Sequence, residues 1–348
     1  MDLYRKFRSA GRVILQVSAV VGLACGNGCS VISQEGVHSV SIAPDDQSFV
    51  INYQRRSKSL LAVIATDGYV PTILLEPEQG IRFDRPRFSR DGEKVFFIRR
   101  RKRDQGDLYV IDIDGTDLAR VTHGQEGTQN IQDIALSRDG GTIYFINSGF
   151  FGHYSPIAAS RPHNMDFYSI HAGGAGLERL SHRNSYALYG LSVSPKGDSL
   201  YSRAEILALT TPREFRHFSY QSNYQHAFTS QYPLSEITED GLVVLSCAKV
   251  QRSKPGYNSR EKHDLGDGWA VYGFGLYLID IDEQVVIDEI VHLPSYLDSP
   301  ALFHDQQRVL FVRNDSVYGG KAGRELWNVN IDGSNLHRIV SEHLGELE

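Results

Sequence analysis

The sequence predicts an all-β fold, a six-bladed β-propeller of four-stranded antiparallel blades, and three observations carry that prediction. A turn built on Asp and Gly, or a close variant, recurs six times along the chain. Each turn is followed by a short run of β-branched and aromatic residues, which suits a pleated, buried surface. Aromatic residues make up 10% of the chain, with 18 Tyr and 16 Phe. A single copy would be a lone antiparallel meander with an unburied apolar face, whereas stacked copies bury one another.

The units appear in order. The first turn of each is Pro44-Asp45-Asp46, Asp91-Gly92, Asp139-Gly140, Lys196-Gly197, Asp240-Gly241 and, degenerately, Asp305-Gln306. The segments before the turns are VSIAP, PRFSR, IALSR, LSVSP, SEITE and ALFHD, each read as a first strand. After the turns come SFVINY, KVFFIR, TIYFIN, SLYSRA, LVVLSC and RVLFVR as second strands. Third strands are LLAVIATDG, DLYVIDIDG, DFYSIHAGG, LYLIDIDEQ and ELWNVNIDG. Fourth strands are PTILL, LARVT, LERLS, VIDEI and LHRIV. The fourth unit breaks the pattern, and its third strand is placed at Glu214–Tyr220. Six units of roughly 45–65 residues give a propeller, which leaves only short, protected sheet edges.

The totals exclude several classes. With 348 residues the chain buries a sizeable core without metals or disulfides. A net charge of −6 argues against a nucleic-acid binder. The three cysteines, Cys25, Cys29 and Cys247, form no disulfide framework, and Cys247 in LVVLSCAKV reads as a small buried apolar residue.

The N-terminus reads as an export signal. Arg5, Lys6, Arg8 and Arg12 precede an apolar run, Val13–Leu23, that is too short to span a bilayer. Gly22-Leu23-Ala24-Cys25 resembles a bacterial lipobox, which implies a diacylglyceryl group on Cys25 after cleavage. Plain secretion and an uncleaved anchor are the other readings. Gly26 after a lipidated cysteine, by resemblance to Gram-negative sorting, implies the outer membrane. The organisation expected is a signal over residues 1–24, a linker over 25–38 and the propeller over 39–345.

Ser89–Phe97 (SRDGEKVFF) followed by Asp107–Thr116 (DLYVIDIDGT) resembles the WD-type repeats of the TolB propeller. Similar repeats occur in the propellers of dipeptidyl-peptidase-type enzymes and of oligogalacturonate lyases. Residues 86–122 and 325–340 match best, 39–75 and 131–181 less closely, and 205–235 poorly. TolB carries an α/β domain ahead of its propeller, and Cys25 to Val40 leaves no room for one, so the resemblance implies a stand-alone propeller.

Candidate chemistry is sparse. Asp112-x-Asp114-Gly115-x-Asp117 lacks the closing Glu of a calcium loop and reads as a hairpin turn, repeated at Asn330-x-Asp332-Gly333. No G-x-S-x-G elbow, H-E-x-x-H motif or phosphate-binding glycine loop is present. His153, His163, His171 and His182 fall in and after the third unit at long spacings. Unrelated surface histidines explain them. The alternative is a divalent metal site with His153 and His163 as its ligands.

Charge and loop length say more. In a four-stranded blade the second turns and inter-blade links share one face. Insertions fall on those turns, at Ser148–Asn164, Gln251–Gly268 and Asn314–Arg324. The same turns carry Arg55, Arg56 and Lys58, and the run Arg99, Arg100, Arg101, Lys102 and Arg103. Arg252, Lys254, Arg260 and Lys262 follow, then Lys321 and Arg324. First and third turns are acidic, although Asp is also the ordinary residue of tight turns. Long loops on a rigid scaffold are where binding concentrates, and one sign of charge focuses an oppositely charged ligand.

The reading is a non-catalytic, exported binding or scaffold propeller of the bacterial envelope. It is expected to be a monomer that recognises an envelope protein or an anionic glycan through the basic face, with no cofactor and no nucleic acid. The competing reading is a metal-assisted lyase or hydrolase acting on acidic oligosaccharides.

Overall fold

Runs of consecutive apolar residues, such as Phe49-Val50-Ile51 and Val95-Phe96-Phe97-Ile98, demand strands covered on both faces, and that is where the chain puts them. The computed structural model describes residues 35–55, 58–102, 105–124, 127–152, 161–185, 188–202, 205–217, 235–252, 263–266, 269–314 and 323–339. Among these residues every regular element is a β-strand. The strands form five sheets, four of four strands each and one of eight, in which Gly36 of the first four strands bridges Arg324 of the last four in parallel. Taken in chain order they fall into six sets of antiparallel neighbours.

The first set is β1 (Gly36–Ile42), β2 (Ser48–Arg55), β3 (Lys58–Ala65) and β4 (Pro71–Leu75). The second is β5 (Arg82–Phe88), β6 (Lys94–Lys102), β7 (Gln105–Asp112) and β8 (Ala119–Arg120). The third is β9 (Ile131–Leu136), β10 (Thr142–Gly152), β11 (Arg161–His171) and β12 (Glu178–Arg179). The fourth is β13 (Ser192–Val193), β14 (Ser199–Ser202), β15 (Glu205–Ala208) and β16 (Phe215–His217). The fifth is β17 (Leu242–Arg252), β18 (His263–Gly266), β19 (Trp269–Asp280) and β20 (Val285–Leu293). The sixth is β21 (Tyr296–Leu302), β22 (Arg308–Asn314), β23 (Arg324–Asn330) and β24 (His337–Arg338).

Four expectations change. In the fourth set the third strand is Glu205–Ala208, and the segment expected there pairs as the fourth strand, at Phe215–His217. Four residues were too short a run to signal a strand. In the fifth set SEITE lies beside β17 without forming a regular strand. Ser235 N–H donates to Val244 O, but Val244 N–H donates to Ser235 Oγ, so a side chain replaces the backbone acceptor. The insertions are partly regular as well: Phe150 pairs with His163 and Gly152 with Arg161, so β10 and β11 lengthen into the insert. β1 begins at Gly36, three residues before the expected boundary.

Second strands are sandwiched, and period-2 alternation divides their residues between neighbours. Phe49 and Ile51 pack with the sixth set, and Val50 packs with the second. Val95 and Phe97 meet the first set, while Phe96 and Ile98 meet the third. In β22, Val309 and Phe311 pack on the fifth set, and Leu310 and Val312 on the first. Further apolar clusters join the third set to the fourth and the fourth to the fifth, where Cys247 is buried as the sequence predicts. Every set therefore shares a core with the next, and the last shares one with the first.

Turn chemistry fixes the strand ends. Ser89 Oγ donates to Asp91 Oδ1 (2.5 Å), which also accepts Glu93 N–H, and Ser137 and Asp139 repeat the arrangement. Those hydrogen bonds, the serine's first, hold both carboxyls below the usual Asp range. Arg90 and Arg138 in these turns reach the next sets, donating to Leu136 and Ser137 carbonyls and to Val193, Ser194 and Ile237 carbonyls. At the third turns Asp114 accepts both N–H and O–H of Thr116, as Asp332 does from Ser334. These aspartates make hairpin turns.

The first and last sets are tied by more than apolar contact. Asp46 Oδ1 accepts His304 N–H (2.8 Å) and faces its Nδ1 (3.0 Å), while Oδ2 accepts Asp305 N–H (2.7 Å). Arg324 N–H donates to Glu35 O, and a Cβ on Gly36 would lie 2.0 Å from Arg324 O, so only glycine fits there. The Val31-Ile32 pair expected to aid closure lies outside the described residues. Replacing Asp46 with Ala strands two turn N–H groups and should cost about 2 kcal/mol in denaturant unfolding. Glu93→Ala, at an exposed side chain of the second set's turn, should stay within about 0.5 kcal/mol.

Candidate functional site

The inner strands bring charged residues together at one end of the molecule. A cavity of about 420 Å³ opens there, lined by Arg82, Asp84, Arg85, Arg100, Asp298 and Arg324 among others. Two matching backbone irregularities shape it. The ladder of β5 slips between Asp84 and Arg87, and that of β21 between Asp298 and Ala301. Both slips follow an Asp-x-Pro sequence, Asp84-Arg85-Pro86 and Asp298-Ser299-Pro300. In each, the middle residue is left-handed, with φ of 53° at Arg85 and 47° at Ser299. A non-glycine residue held there costs roughly 1–2 kcal/mol, so the surroundings must enforce it.

Both aspartates are bound by arginine. Arg100 Nε donates to Asp84 Oδ2 (2.6 Å), and Arg324 Nη2 to Asp298 Oδ2 (2.5 Å). Burial alone would raise both carboxyls. For Asp84 the charges of Arg100 and then Arg82 outweigh it, and for Asp298 those of Arg324 and then Arg85. Both therefore titrate below the usual Asp range. Arg100 is 5% exposed and also donates to Ile131 O, and burial is the main force lowering its own pKa. Arg85 Nε lies 3.8 Å from Asp133, whose oxygens already accept the Ile134, Gly190 and Leu191 N–H groups. Arg82 makes no hydrogen bond or ion pair with another described residue.

A larger groove of about 920 Å³ crosses the second and third sets, and Phe151 borders both cavities. Arg99, Arg101, Arg120 and Arg179 line it with Tyr109 and Tyr168. Arg99 pairs with Glu78 (2.5 Å) and lies 5.5 Å over the Tyr109 ring. Arg120 and Arg179 belong to a repeated cross-strand device in which an acid two residues before an aromatic binds the arginine opposite it. Asp107, Tyr109 and Arg120 form one copy, and Asp166, Tyr168 and Arg179 another. Glu325, Trp327 and Arg338 form the third. Arg101 is exposed and makes no hydrogen bond or ion pair with a described residue. Phe150, 49% exposed, stacks on the buried His163 ring and completes the apolar part of the groove.

The basic run is thus not a loop. Arg99, Arg100, Arg101 and Lys102 belong to β6, where alternation buries Arg100 and leaves Arg101 outward. Arg324 lies in β23, mostly buried against Asp298. Arg55 and Lys58 are exposed at facing strand ends, and Arg252 ends β17. Cys25, Arg56, Arg103, His153, Lys254, Arg260, Lys262 and Lys321 lie outside the described residues. His163 faces Gly152 O at 3.2 Å, and no group of three His, Cys, Asp or Glu suited to a metal occurs among the described residues. Sequence reasoning missed Arg82 and Arg85, and the repeated Asp-x-Pro was the signal that marks them.

The sequence matches no family model and no curated protein. Solved structures do resemble it. TolB from Acinetobacter baumannii superimposes with a TM-score of 0.51 at 15% identity, over 90% of this chain and 65% of its own. The fold is a TolB-like β-propeller. The chain spans about 65% of that TolB's length. A gluconolactonase from Xanthomonas campestris matches at TM-score 0.55 and 15% identity, over 82% of this chain and 85% of its own. An oligogalacturonate lyase solved with manganese matches at 0.52 and 9%, over 88% and 77%. Such identities describe a shared propeller scaffold, and function has to be argued from the site.

The two half-buried aspartates contribute to acid stability. Their folded pKa lies below the unfolded value, so their contribution is complete above about pH 4 and is lost as pH falls through the folded value. Asp298→Asn leaves Arg324 uncompensated and should cost about 3 kcal/mol at pH 7. Its unfolding midpoint should also fall less steeply than the wild type's below about pH 4 in a pH series of denaturant melts.

Proposed function

We propose that the six sets are the blades of a closed six-bladed propeller. We further propose that it serves as a non-catalytic binding module of the bacterial envelope. The cyclic sharing of cores, with Asp46 tying the last set to the first, supports closure. The export-like N-terminus supports an envelope location with lipid attachment at Cys25.

The partner in this reading is a carboxylate-bearing one, an envelope protein or an anionic glycan, held on the face that carries the second turns. One observation carries it: the large groove collects four arginines beside tyrosine and phenylalanine rings, with Arg101 unpaired among the described residues. Arginine and aromatic side chains dominate binding hot spots. Exposed charges act over about a Debye length, so attraction fades as salt rises. The remaining rim residues, Arg55, Arg56, Lys58, Lys102, Arg103, Arg252, Lys254, Arg260, Lys262 and Lys321, extend the same sign of charge.

Affinity capture from solubilised envelopes tests this reading. Capture should fall several-fold between ~50 mM and ~500 mM salt. Arg101→Glu should reduce it similarly at low salt with an unchanged melting temperature. Capture insensitive to both would overturn the proposal.

A further inference from the structure

In the closed propeller proposed above, on which this reading rests, the charged cavity is the mouth of the central channel, a second site distinct from the groove and with more specific chemistry. Four guanidinium groups (Arg82, Arg85, Arg100 and Arg324) line it against two carboxylates, Asp84 and Asp298. Each carboxylate has its own arginine, Asp84 with Arg100 and Asp298 with Arg324. Two cations are left over. Arg82 has no hydrogen-bond or ion-pair partner among the described residues. Arg85 has only Asp133 at 3.8 Å, a carboxylate shared with Arg87 and already satisfied by three backbone N–H groups.

The two Asp-x-Pro bulges supply an internal comparison. They share the same left-handed backbone and the same ladder slip, so the geometry itself belongs to the scaffold. In the sixth set the middle residue is Ser299, whose Oγ donates to His38 O and so acts in closure. In the second set the same position carries Arg85, which lines both the mouth and a deeper channel cavity of about 260 Å³. A serine suffices to hold this bulge, yet the second set places a long cation there, in a backbone conformation that arginine rarely adopts. Asp84 and Asp298 also act on Arg82 and Arg85, yet four guanidinium groups face only these two carboxylates in the cavity, and an excess of one sign of charge attracts an entering anion. A guanidinium fork matches a carboxylate with two parallel hydrogen bonds.

We propose that Arg82 and Arg85 form an oxyanion site at the channel mouth that takes a carboxylate, with Arg100 and Arg324 held as fixed background charge by their aspartates. The volume admits a small dicarboxylate or one carboxylate of a larger molecule. Inorganic phosphate shares the oxyanion chemistry and is the competing source. This site does not depend on the groove, and its variants leave Arg101 untouched, so the two proposals fail separately.

Isothermal titration calorimetry of the full chain with succinate and with inorganic phosphate, in low-chloride buffer, tests the site. Wild type should bind succinate more tightly than phosphate, and chloride should weaken both. Arg82→Gln and Arg85→Ser should each weaken succinate at least tenfold, whereas Arg216→Gln, at an exposed arginine of the fourth set, should leave it unchanged. Arg85→Ser installs the residue that the equivalent bulge already tolerates, and its melting temperature checks that the fold is retained. Phosphate binding tighter than succinate would overturn the carboxylate assignment. Absence of binding to folded wild type, or equal affinity in the Arg82→Gln/Arg85→Ser double variant, would overturn the site.

Discussion

Burial of the second strands on both faces is the constraint from which the rest of the molecule follows. A strand such as Val95-Phe96-Phe97-Ile98 cannot be satisfied by one neighbour, because alternate side chains leave opposite faces of the sheet. Each set must therefore be flanked by two others. The condition propagates along the chain until the last set, whose Leu310 and Val312 find cover in the first, in a cluster with Val40, Ile42, Phe49 and Ile51. Closing contacts of Asp46, Gly36 and Arg324 lock an arrangement that apolar burial already requires.

That packing gathers polar and charged side chains around the cavity that β5, β6, β21 and β23 line. Charge in such a place is tolerated only when paired, and most of it is. Asp84 and Asp298 are neutralised by Arg100 and Arg324, and Asp133 by backbone N–H groups and arginines. The arginines thus divide by role. Arg90 and Arg138 staple neighbouring sets through carbonyls, and Arg120, Arg179 and Arg338 cap outer strands. Arg82 and Arg101 are used by neither device. Function is assigned to the charges that the scaffold does not consume, and both lie on the side carrying the long hairpins.

Much of the architecture was legible in the sequence, because first turns and second strands repeat with strong local chemistry. The Ser-x-Asp-Gly turn is readable since its serine and aspartate bond to each other and to the turn backbone. Legibility failed where local signals weakened. Glu205–Ala208 is too short to show alternation, and Ser235 substitutes its hydroxyl for a backbone acceptor. The site was harder to read. A run of five basic residues looks like an exposed loop, yet β6 continues through most of it and buries Arg100. Which cation is consumed by a partner depends on residues distant in sequence, such as Asp298 for Arg324, and composition does not reveal that.

The central claim is that the face carrying the long hairpins binds an anionic partner through arginines left unpaired by the fold. Arginine footprinting with phenylglyoxal, read by mass spectrometry with and without the captured partner, tests it most directly. The account predicts protection of Arg82 and Arg101, with Arg213 and Arg216 of the fourth set unchanged. Unaltered reactivity at Arg82 and Arg101 in the complex would contradict it, as would protection confined to the fourth set.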